Sequence, residues 1–454
     1  MTPREFAIDV VRRLQNAGFT AVWAGGCVRD ELLGLQPLDY DVATNAEPKD
    51  LRPLFPRRNE IGAHFGVVQV IGPRGDDGKW LTIEVATFRL DGPYGDGGRC
   101  PDWVRFCNPL EDAKRRDFTI NGMFYDPIKG ELIDYVGGRA DLEARILRAI
   151  GNPEHRFAED KLRILRAVRM AARFDLAIDP DTLTAAQQMA PQITVVSAER
   201  IADELRKLLT HRNRARGLRL LRSFGLIEPI LPELLPSFNL PQGRPEAPSG
   251  TLWDHTVRVV EELGETASFT LAFGAILHDV AKPVVWAREG DRYTFHGHEH
   301  VGKRMAEGIA DRLRLSNAEK QRIAWLVEKH MYLADAPVMR LSKLKAILVH
   351  PGIAELLALH RADAIASGRS LQHVEFCERL LRELPPEELN PPAAVTGDDL
   401  IALGLKPGGE FKRLLTAVRE AQLEGRVRSK EQGLELVREL LRSPAGPGPE
   451  RVED

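Results

Sequence analysis

Apolar and polar positions along the chain follow two periods. Residues 1–14 carry Arg4, Asp9, Arg12 and Arg13 among apolar neighbours, the spacing of an amphipathic helix. Strand-like runs follow: the apolar stretch Thr20-Ala21-Val22-Trp23-Ala24, which ends in two glycines, and Leu81-Thr82-Ile83-Glu84-Val85-Ala86-Thr87-Phe88. Between 159 and 173 the period is helical. At 100° per residue Ile164, Leu165, Val168, Ala171 and Ala172 share one arc, and Glu159, Arg163, Arg166, Arg169 and Arg173 lie roughly opposite, so one face packs and the other is free to meet a polyanion. The proline-rich segment 234–250 reads as a linker. Beyond it, His255 opens a helical pattern, the run 271–277 is apolar throughout, and a long helical pattern follows residues 395–409.

Chemistry clusters at the ends of the strand-like runs. Gly25-Gly26-Cys27-Val28-Arg29-Asp30 suits a tight strand-to-helix turn whose backbone N–H groups approach a phosphate. Asp39 and Asp41, two apart on an extended segment, point to one face, where a pair of carboxylates anchors hard divalent cations. Glu84, flanked by apolar and β-branched residues, is the candidate third carboxylate. Singly, a Gly-Gly reads as a hinge and an Asp-x-Asp as a solvated turn; their order and spacing favour a phosphate cradle beside a metal site. Arg115, Arg116, Asp117 and Asn121 precede the apolar run 122–125; the arginines suit phosphate, and Asp117 and Asn121 suit sugar hydroxyls, with a charged helix start as the plainer reading. Asp160 and Arg163, three apart, form either a surface ion pair or a base reader that accepts from the exocyclic amine of cytosine or adenine and rejects uracil and guanine.

These four motifs, a GGxVRD turn, a DxD pair, the RRDFTIN element 115–121 and the EDxxR element 159–163, occur in the order seen in the class II tRNA nucleotidyltransferase and bacterial poly(A) polymerase family, which the first 175 or so residues resemble. The resemblance implies an α+β fold, with a mixed-sheet nucleotidyltransferase head over residues 1–150 and a helical neck over 151–235. It implies Mg²⁺ on Asp39 and Asp41 with Glu84 assisting, and nucleotide contacts from Gly25, Gly26, Arg29, Arg115, Arg116, Asp117, Asn121, Asp160, Arg163, Arg166 and Arg169. It also implies that the glycine-rich segment 90–99 is a mobile loop that helps switch between bases.

A second constellation follows the linker. His255, His278-Asp279 and Asp363 resemble the H…HD…D metal set of the HD phosphohydrolase superfamily, with His296, His298, His300 and His330 as imidazoles able to extend it to a second metal. Imidazole with carboxylate suits Mn²⁺, Fe²⁺, Ni²⁺ or Mg²⁺ and activates a water for attack on phosphorus. By resemblance the substrate would be a 2′-phosphate or a cyclic phosphate at an RNA 3′ end. An HD domain is expected over 250–370, a helical tail over 390–442, and disorder over 443–454, which is Pro/Gly-rich and acidic.

Net charge is −3, from 63 basic and 66 acidic residues, and by itself says nothing of nucleic acid. Locally, residues 156–222 hold 14 Lys and Arg against 8 Asp and Glu, with a cluster at Arg212, Arg214, Arg216, Arg219 and Arg222 that suits either a phosphate-backbone track or a solvated helix face. The cysteines Cys27, Cys100, Cys107 and Cys377 form no CxxC pair, against a zinc site or a disulfide framework. The amphipathic N-terminus is no signal peptide and no run of about 18 apolar residues occurs, so a cytoplasmic location without membrane contact is expected. The reading that joins these features is template-independent addition of CMP and AMP from CTP and ATP to the 3′ acceptor end of tRNA. A poly(A) polymerase, an enzyme adding only A or only CC, an HD hydrolase whose head merely grips RNA, and a non-catalytic RNA-binding module are the alternatives. Oligomeric state is not specified.

Overall fold

A computed structural model of the chain describes residues 1–60, 63–75, 78–92, 103–244, 247–290 and 292–442. The expected mobile loop, from residue 93 on, and the expected disordered tail 443–454 lie outside the described residues, as does Cys100. The chain forms two compact units, Met1–Phe238 with Ile309–Leu315, and Asn239–Gly308 with Ser316–Asp454.

The first unit is built on a mixed sheet, as expected. Its strands are β1 (Ala21–Ala24), β2 (Asp41–Thr44), β3 (Arg58–Asn59), β4 (Val67–Arg74) and β5 (Trp80–Thr87), and, after a separate antiparallel pair β6 (Arg89–Asp91) and β7 (Val104–Phe106), β8 (Phe124–Asp126) and β9 (Glu131–Ile133). The order is β3-β4-β5-β2-β1-β8-β9, with β2 and β5 parallel and the other neighbours antiparallel. All four side chains of β1 are buried. The helix Pro3–Asn16 contributes Phe6, Ala7, Val10, Val11 and Leu14 to the core and is started by a capping box between Thr2 and Glu5. Val22, Ala24, Ala43, Phe88, Ala113 and Phe124 form one apolar cluster, in which the Phe88 and Phe124 rings meet edge to face at 5.8 Å.

The strand register decides where the chemistry goes. Ala24 pairs with Asp41, and Asp41 pairs with Glu84, so the glycine turn after β1 and two carboxylates come to the same end of three adjacent strands. Gly25 takes φ +73°, a left-handed conformation open to glycine, and its N–H donates to Met123 O at 3.3 Å, which ties the turn to the segment entering β8.

The helical period read over 159–173 is broken near its start. One helix spans Pro153–Glu159 and the next Leu162–Phe174, with Asp160 extended between them (φ −144°, ψ 107°) and its side chain accepting from Leu162 N at 3.0 Å. The local Asp-to-backbone bond competes with helix continuation and stops it. The proline-rich linker is also more ordered than expected: Pro232–Phe238 is a 3₁₀ helix, and Pro241–Arg244 and Ala247–Thr251 form an antiparallel ribbon.

In the second unit the helices Leu252–Glu262, Phe269–Leu277, Asn317–Lys329 and Ile353–Ala366 pack on one another. Phe269–Leu277 is apolar on nearly every side and sits in the middle of this group, which carries His278 and Asp279 into the interior at its C-terminal end. The tail helices Gly397–Ala402, Gly409–Leu423 and Lys430–Arg442 close around Leu400, Leu414, Val418 and Val437. Among the described residues no helix is long and apolar enough to cross a membrane.

The helix Leu162–Phe174 is tied to the sheet region by a buried polar contact. Arg166 donates to Asp117 Oδ2 through Nε (3.0 Å) and Nη2 (2.6 Å), while Asp117 Oδ1 accepts from Phe118 N (2.8 Å) and Asn121 Nδ2 (3.0 Å). Burial alone would raise the Asp117 pKa; the Arg166 charge and these donors outweigh it and hold the carboxyl well below its usual value of 3.8. Asp117→Ala, which leaves the partly exposed Arg166 and the donors of Phe118 and Asn121 without their acceptor, should cost about 1–3 kcal/mol in urea denaturation at pH 7. Because the folded-state pKa is depressed, this contribution is present above about pH 4 and is lost as pH falls towards the folded-state value, so the gap between wild type and Asp117→Asn should begin to narrow below pH 4. An equal gap at pH 7 and pH 3 would contradict the assignment.

Candidate functional site

The end of the sheet marked by Gly25 and Asp41 opens into a cavity of about 400 Å³ lined by Gly25, Gly26, Arg29, Asp41, Arg115, Arg116, Asp117, Asn121, Asp160, Arg163, Arg166, Arg169, Met170 and Arg173. Eleven of these carry over from sequence-predicted nucleotide contacts and all eleven converge here. Seven arginines against three aspartates face the cavity, while four further carboxylates, Asp30, Asp112, Glu159 and Glu204, stand against the same arginines from the protein side.

Each arginine is held by a carboxylate. Arg29 bonds Asp30 at 2.6 and 2.8 Å, and Arg173 lies 3.9 Å from the same residue. Asp112, almost wholly buried, takes Arg115 on one oxygen (2.8 Å) and Arg116 on the other (3.0 Å). Arg163 bonds Glu159 at 2.6 Å, Arg166 bonds Asp117, and Arg169 bonds the buried Glu204 at 2.5 Å. The face of the helix expected to be free is therefore largely committed inside the protein. Arg163 and Arg169 are buried as deeply as core residues. The surface ion pair between Asp160 and Arg163, one of the two readings, does not form: with the chain extended at 160, one oxygen of Asp160 accepts from Leu162 N and the other bonds Arg200 at 2.8 Å.

Asp117 does not start a helix, as the plainer reading had it. It lies between the helix Pro109–Lys114 and the 3₁₀ turn Thr119–Asn121, with both oxygens on protein donors. Asn121 passes the chain on: its Oδ1 accepts from Arg29 Nη1 at 2.6 Å and its Nδ2 donates to Asp117. Arg116 stands so close to the glycine turn that a Cβ at Gly25 would lie 2.9 Å from its Nη1. Asp30, Asp112, Arg200 and Glu204 are the contributors that sequence reasoning missed. Asp112 had a signal, its i,i+3 and i,i+4 spacing to Arg115 and Arg116; Glu204 had a weaker one, an acid among the buried Ile201, Leu205 and Leu208.

Of the three carboxylates, Asp41 is partly buried at the start of β2, and Asp39 is exposed in the loop before it. Glu84 is exposed on the face of β5 opposite Ile83, Val85 and Thr87, so it is the strand alternation, and no apolar burial, that accommodates it. Burial, with Asp39 and Glu84 nearby, pushes the Asp41 carboxyl up to about 6. Such a set of mutually repelling acids suits a divalent cation, which would relieve the repulsion.

The second unit holds a denser cluster. Nε2 of His255 lies 3.3 Å from Nε2 of His278 and 3.2 Å from Asp363 Oδ1, and His278 Nε2 lies 3.2 Å from Asp279 Oδ2. On the other side of the same carboxylate, Asp279 Oδ1 is 3.3 Å from His298 Nε2 and 3.4 Å from His330 Nε2. His278, His298 and His330 each place Nδ1 within 2.7–2.8 Å of a backbone carbonyl, of Ala275, Phe295 and Val327 respectively. A carbonyl only accepts, so in the neutral rings Nδ1 carries the proton and Nε2 turns a lone pair inward. Asp279 Oδ1 is buried yet makes no hydrogen bond of acceptable geometry, the signature of a ligand atom waiting for a cation. His255, His278, Asp279 and Asp363 thus meet as expected, and His298 and His330 join them through Asp279. His296 and His300 do not: both are exposed, beside Glu289 and Glu299. The basic cluster at 212–222 divides: Arg214 is buried and donates to Leu209 O and Arg216 is bound to Leu176 O and Asp175, whereas Arg212, Arg219 and Arg222 are exposed, with Arg222 over the Phe238 ring.

Comparisons with known proteins agree with this layout. Residues 21–148 match the family described as "Poly A polymerase head domain", residues 175–238 "Probable RNA and SrmB- binding site of polymerase A", and residues 252–368 "HD domain". A CCA-adding enzyme of Geobacillus stearothermophilus is 41% identical over 225 residues, 49% of this chain and 54% of that one. Poly(A) polymerase I of Haemophilus influenzae is 37% identical over 248 residues, 52% and 53% of the two chains. The chain spans about half the length of the curated relatives it matches. The crystal structure of the Bacillus stearothermophilus CCA-adding enzyme in complex with CTP superposes with a TM-score of 0.72 at 27% identity, over 97% of this chain and 98% of that one. A poly(A) polymerase head domain, the RNA-binding segment that follows it and an HD domain thus lie in one polypeptide, which is similar to CCA-adding enzymes and poly(A) polymerases.

Proposed function

We propose that the protein adds CMP and AMP, from CTP and ATP, to the 3′ acceptor end of tRNA without a template. The observation that carries this reading is the register Ala24–Asp41–Glu84, which sets a glycine turn and acidic residues at the mouth of an arginine-lined cavity. Mg²⁺ held by Asp39 and Asp41, with Glu84 assisting, would supply the Lewis acidity that activates the 3′-hydroxyl and stabilises departing pyrophosphate. Gly25 and Gly26 leave room for a phosphate against the backbone, and Arg115 and Arg116, fixed by Asp112, face the triphosphate as preset charges. Asn121 keeps one amide hydrogen for the sugar. Asp160 and Arg163, both on the cavity wall, read the base edge. Relatives of both kinds match at similar identity, so a poly(A) polymerase or a partial A- or CC-adding enzyme is the neighbouring reading; the structural match over the full chain to an enzyme bound to CTP favours CCA addition. These substrates would place the work in the cytoplasm.

A second activity is favoured by the Asp279 cluster. We assign to it hydrolysis of a 2′-phosphate or a 2′,3′-cyclic phosphate at an RNA end, with Mn²⁺, Ni²⁺ or Mg²⁺ on His255, His278, Asp279 and Asp363 supplying an activated water. An HD hydrolase with a merely RNA-gripping head would need neither the glycine turn nor the acidic set.

Two tests separate these roles. Asp41→Ala, or Asp39→Ala, should abolish incorporation of labelled CTP and ATP into tRNAs ending before C74 or after C75 while leaving phosphate release from 2′-nucleotides intact; Asp279→Ala should do the reverse. Incorporation surviving in Asp41→Ala would sink the transferase assignment, and a wild type that releases no phosphate with any of the three metals would leave the HD cluster structural. In four-nucleotide competition, Asp160→Asn should lose about 1–3 kcal/mol of discrimination against UTP and GTP. Unchanged selectivity with lowered stability would mean that Asp160 serves only to hold Arg200.

A further inference from the structure

The HD cluster adjoins a cavity of about 360 Å³ that no step so far uses. Two cluster members, His330 and Asp363, form part of its lining; Arg369 and His373 stand at its side, and Ala334 and Pro337 make an apolar wall. Arg369 is half exposed and is held through one nitrogen: Nη2 lies 3.2 and 3.4 Å from the two oxygens of Asp363 and 3.1 Å from Ser367 Oγ. Among the described residues its Nε and Nη1 have no protein partner.

This placement is costly for a metal site. A guanidinium on a ligand carboxylate competes with the cation for that charge, and once a cation binds, the two positive groups repel across a few ångströms. An anion between them reverses the sign of the arrangement, and a phosphoryl group supplies it, its oxygens accepting from the N–H groups of Arg369 that Asp363 and Ser367 leave free. Behind the phosphate, the apolar wall and the His373 ring offer a surface for a nucleoside. His360, which meets His373 edge to face at 5.4 Å, is kept neutral by burial, its pKa pushed down to about 3, so this wall adds no charge beside a base.

We propose that Arg369 is the phosphate anchor of the HD site and that the cavity beside it, with His373 on its wall, is the nucleoside subsite for a nucleotide bearing a terminal 2′- or cyclic phosphate. The proposal rests on the hydrolase reading above for its substrate class, but it concerns binding and can fail separately.

The test uses the full-length protein loaded with Mn²⁺, with titration calorimetry of inorganic phosphate and of adenosine 2′-monophosphate. Arg369→Ala should weaken both by about tenfold or more and Arg369→Lys by less, while Mn²⁺ stoichiometry stays the same and Mn²⁺ affinity in Arg369→Ala is not lowered, because a charge competing for Asp363 has been removed. His373→Ala should weaken the nucleotide and leave inorganic phosphate unchanged. In hydrolysis, Arg369→Ala should raise KM more than it lowers kcat. A wild type that binds the nucleotide without hydrolysing it supports the subsite and refutes the hydrolase reading alone. Unchanged binding in Arg369→Ala, a loss that tracks loss of Mn²⁺, or a wild type that binds neither probe overturns the proposal.

Discussion

A cavity lined by seven arginines is tolerable only because every guanidinium in it is held by a carboxylate of the protein. Asp30, Asp112, Asp117, Glu159 and Glu204 do this for all seven, two of them serving a pair each. Burying these charges unpaired would cost several kcal/mol apiece, whereas pairing them from the protein side fixes their directions before any ligand arrives. The helix Leu162–Phe174, the 3₁₀ turn Thr119–Asn121 and the glycine turn are connected through this network, so the position of the arginines and the packing of the unit are one problem. That is also why Asp117 matters: Arg29, Asn121, Asp117 and Arg166 form a continuous chain of hydrogen bonds from the glycine turn to the helix.

The two acidic centres solve opposite electrostatic problems. In the head, Asp39, Asp41 and Glu84 repel one another, and the repulsion with burial raises the Asp41 pKa. Around Asp279, imidazoles and Lys282 surround a single carboxylate and outweigh its burial, keeping it ionised. The first arrangement invites a hard cation between oxygens; the second presets nitrogen lone pairs through backbone carbonyls and suits a softer one. Among the described residues, the groups of three ligand atoms lying within 4.8 Å of one another are both at Asp279.

Much of the site was legible in the residues because its parts are local. The strand-glycine turn, the carboxylates two apart, the arginines beside Asp117 and the adjacent His278-Asp279 are short-range patterns, and all of the carried-over nucleotide contacts meet in one cavity. Periodicity located the N-terminal amphipathic helix, and the unbroken apolar run 271–277 marked a segment that the fold buries as the helix Phe269–Leu277.

Partnership across the fold was not legible. Helical spacing paired Asp160 with Arg163, but one extended residue turned Asp160 to Arg200, 40 positions on, and Arg163 back to Glu159. A polar arc looked free because a helical wheel cannot show that Glu204 lies against Arg169. Of four spare histidines, burial against helices distant in sequence selected His298 and His330, and exposure dismissed His296 and His300. Residue types and their local spacing determined which chemistry the chain carries. Which charge meets which was decided only by the tertiary structure, because a buried ion pair depends on the facing surfaces of elements far apart in the chain.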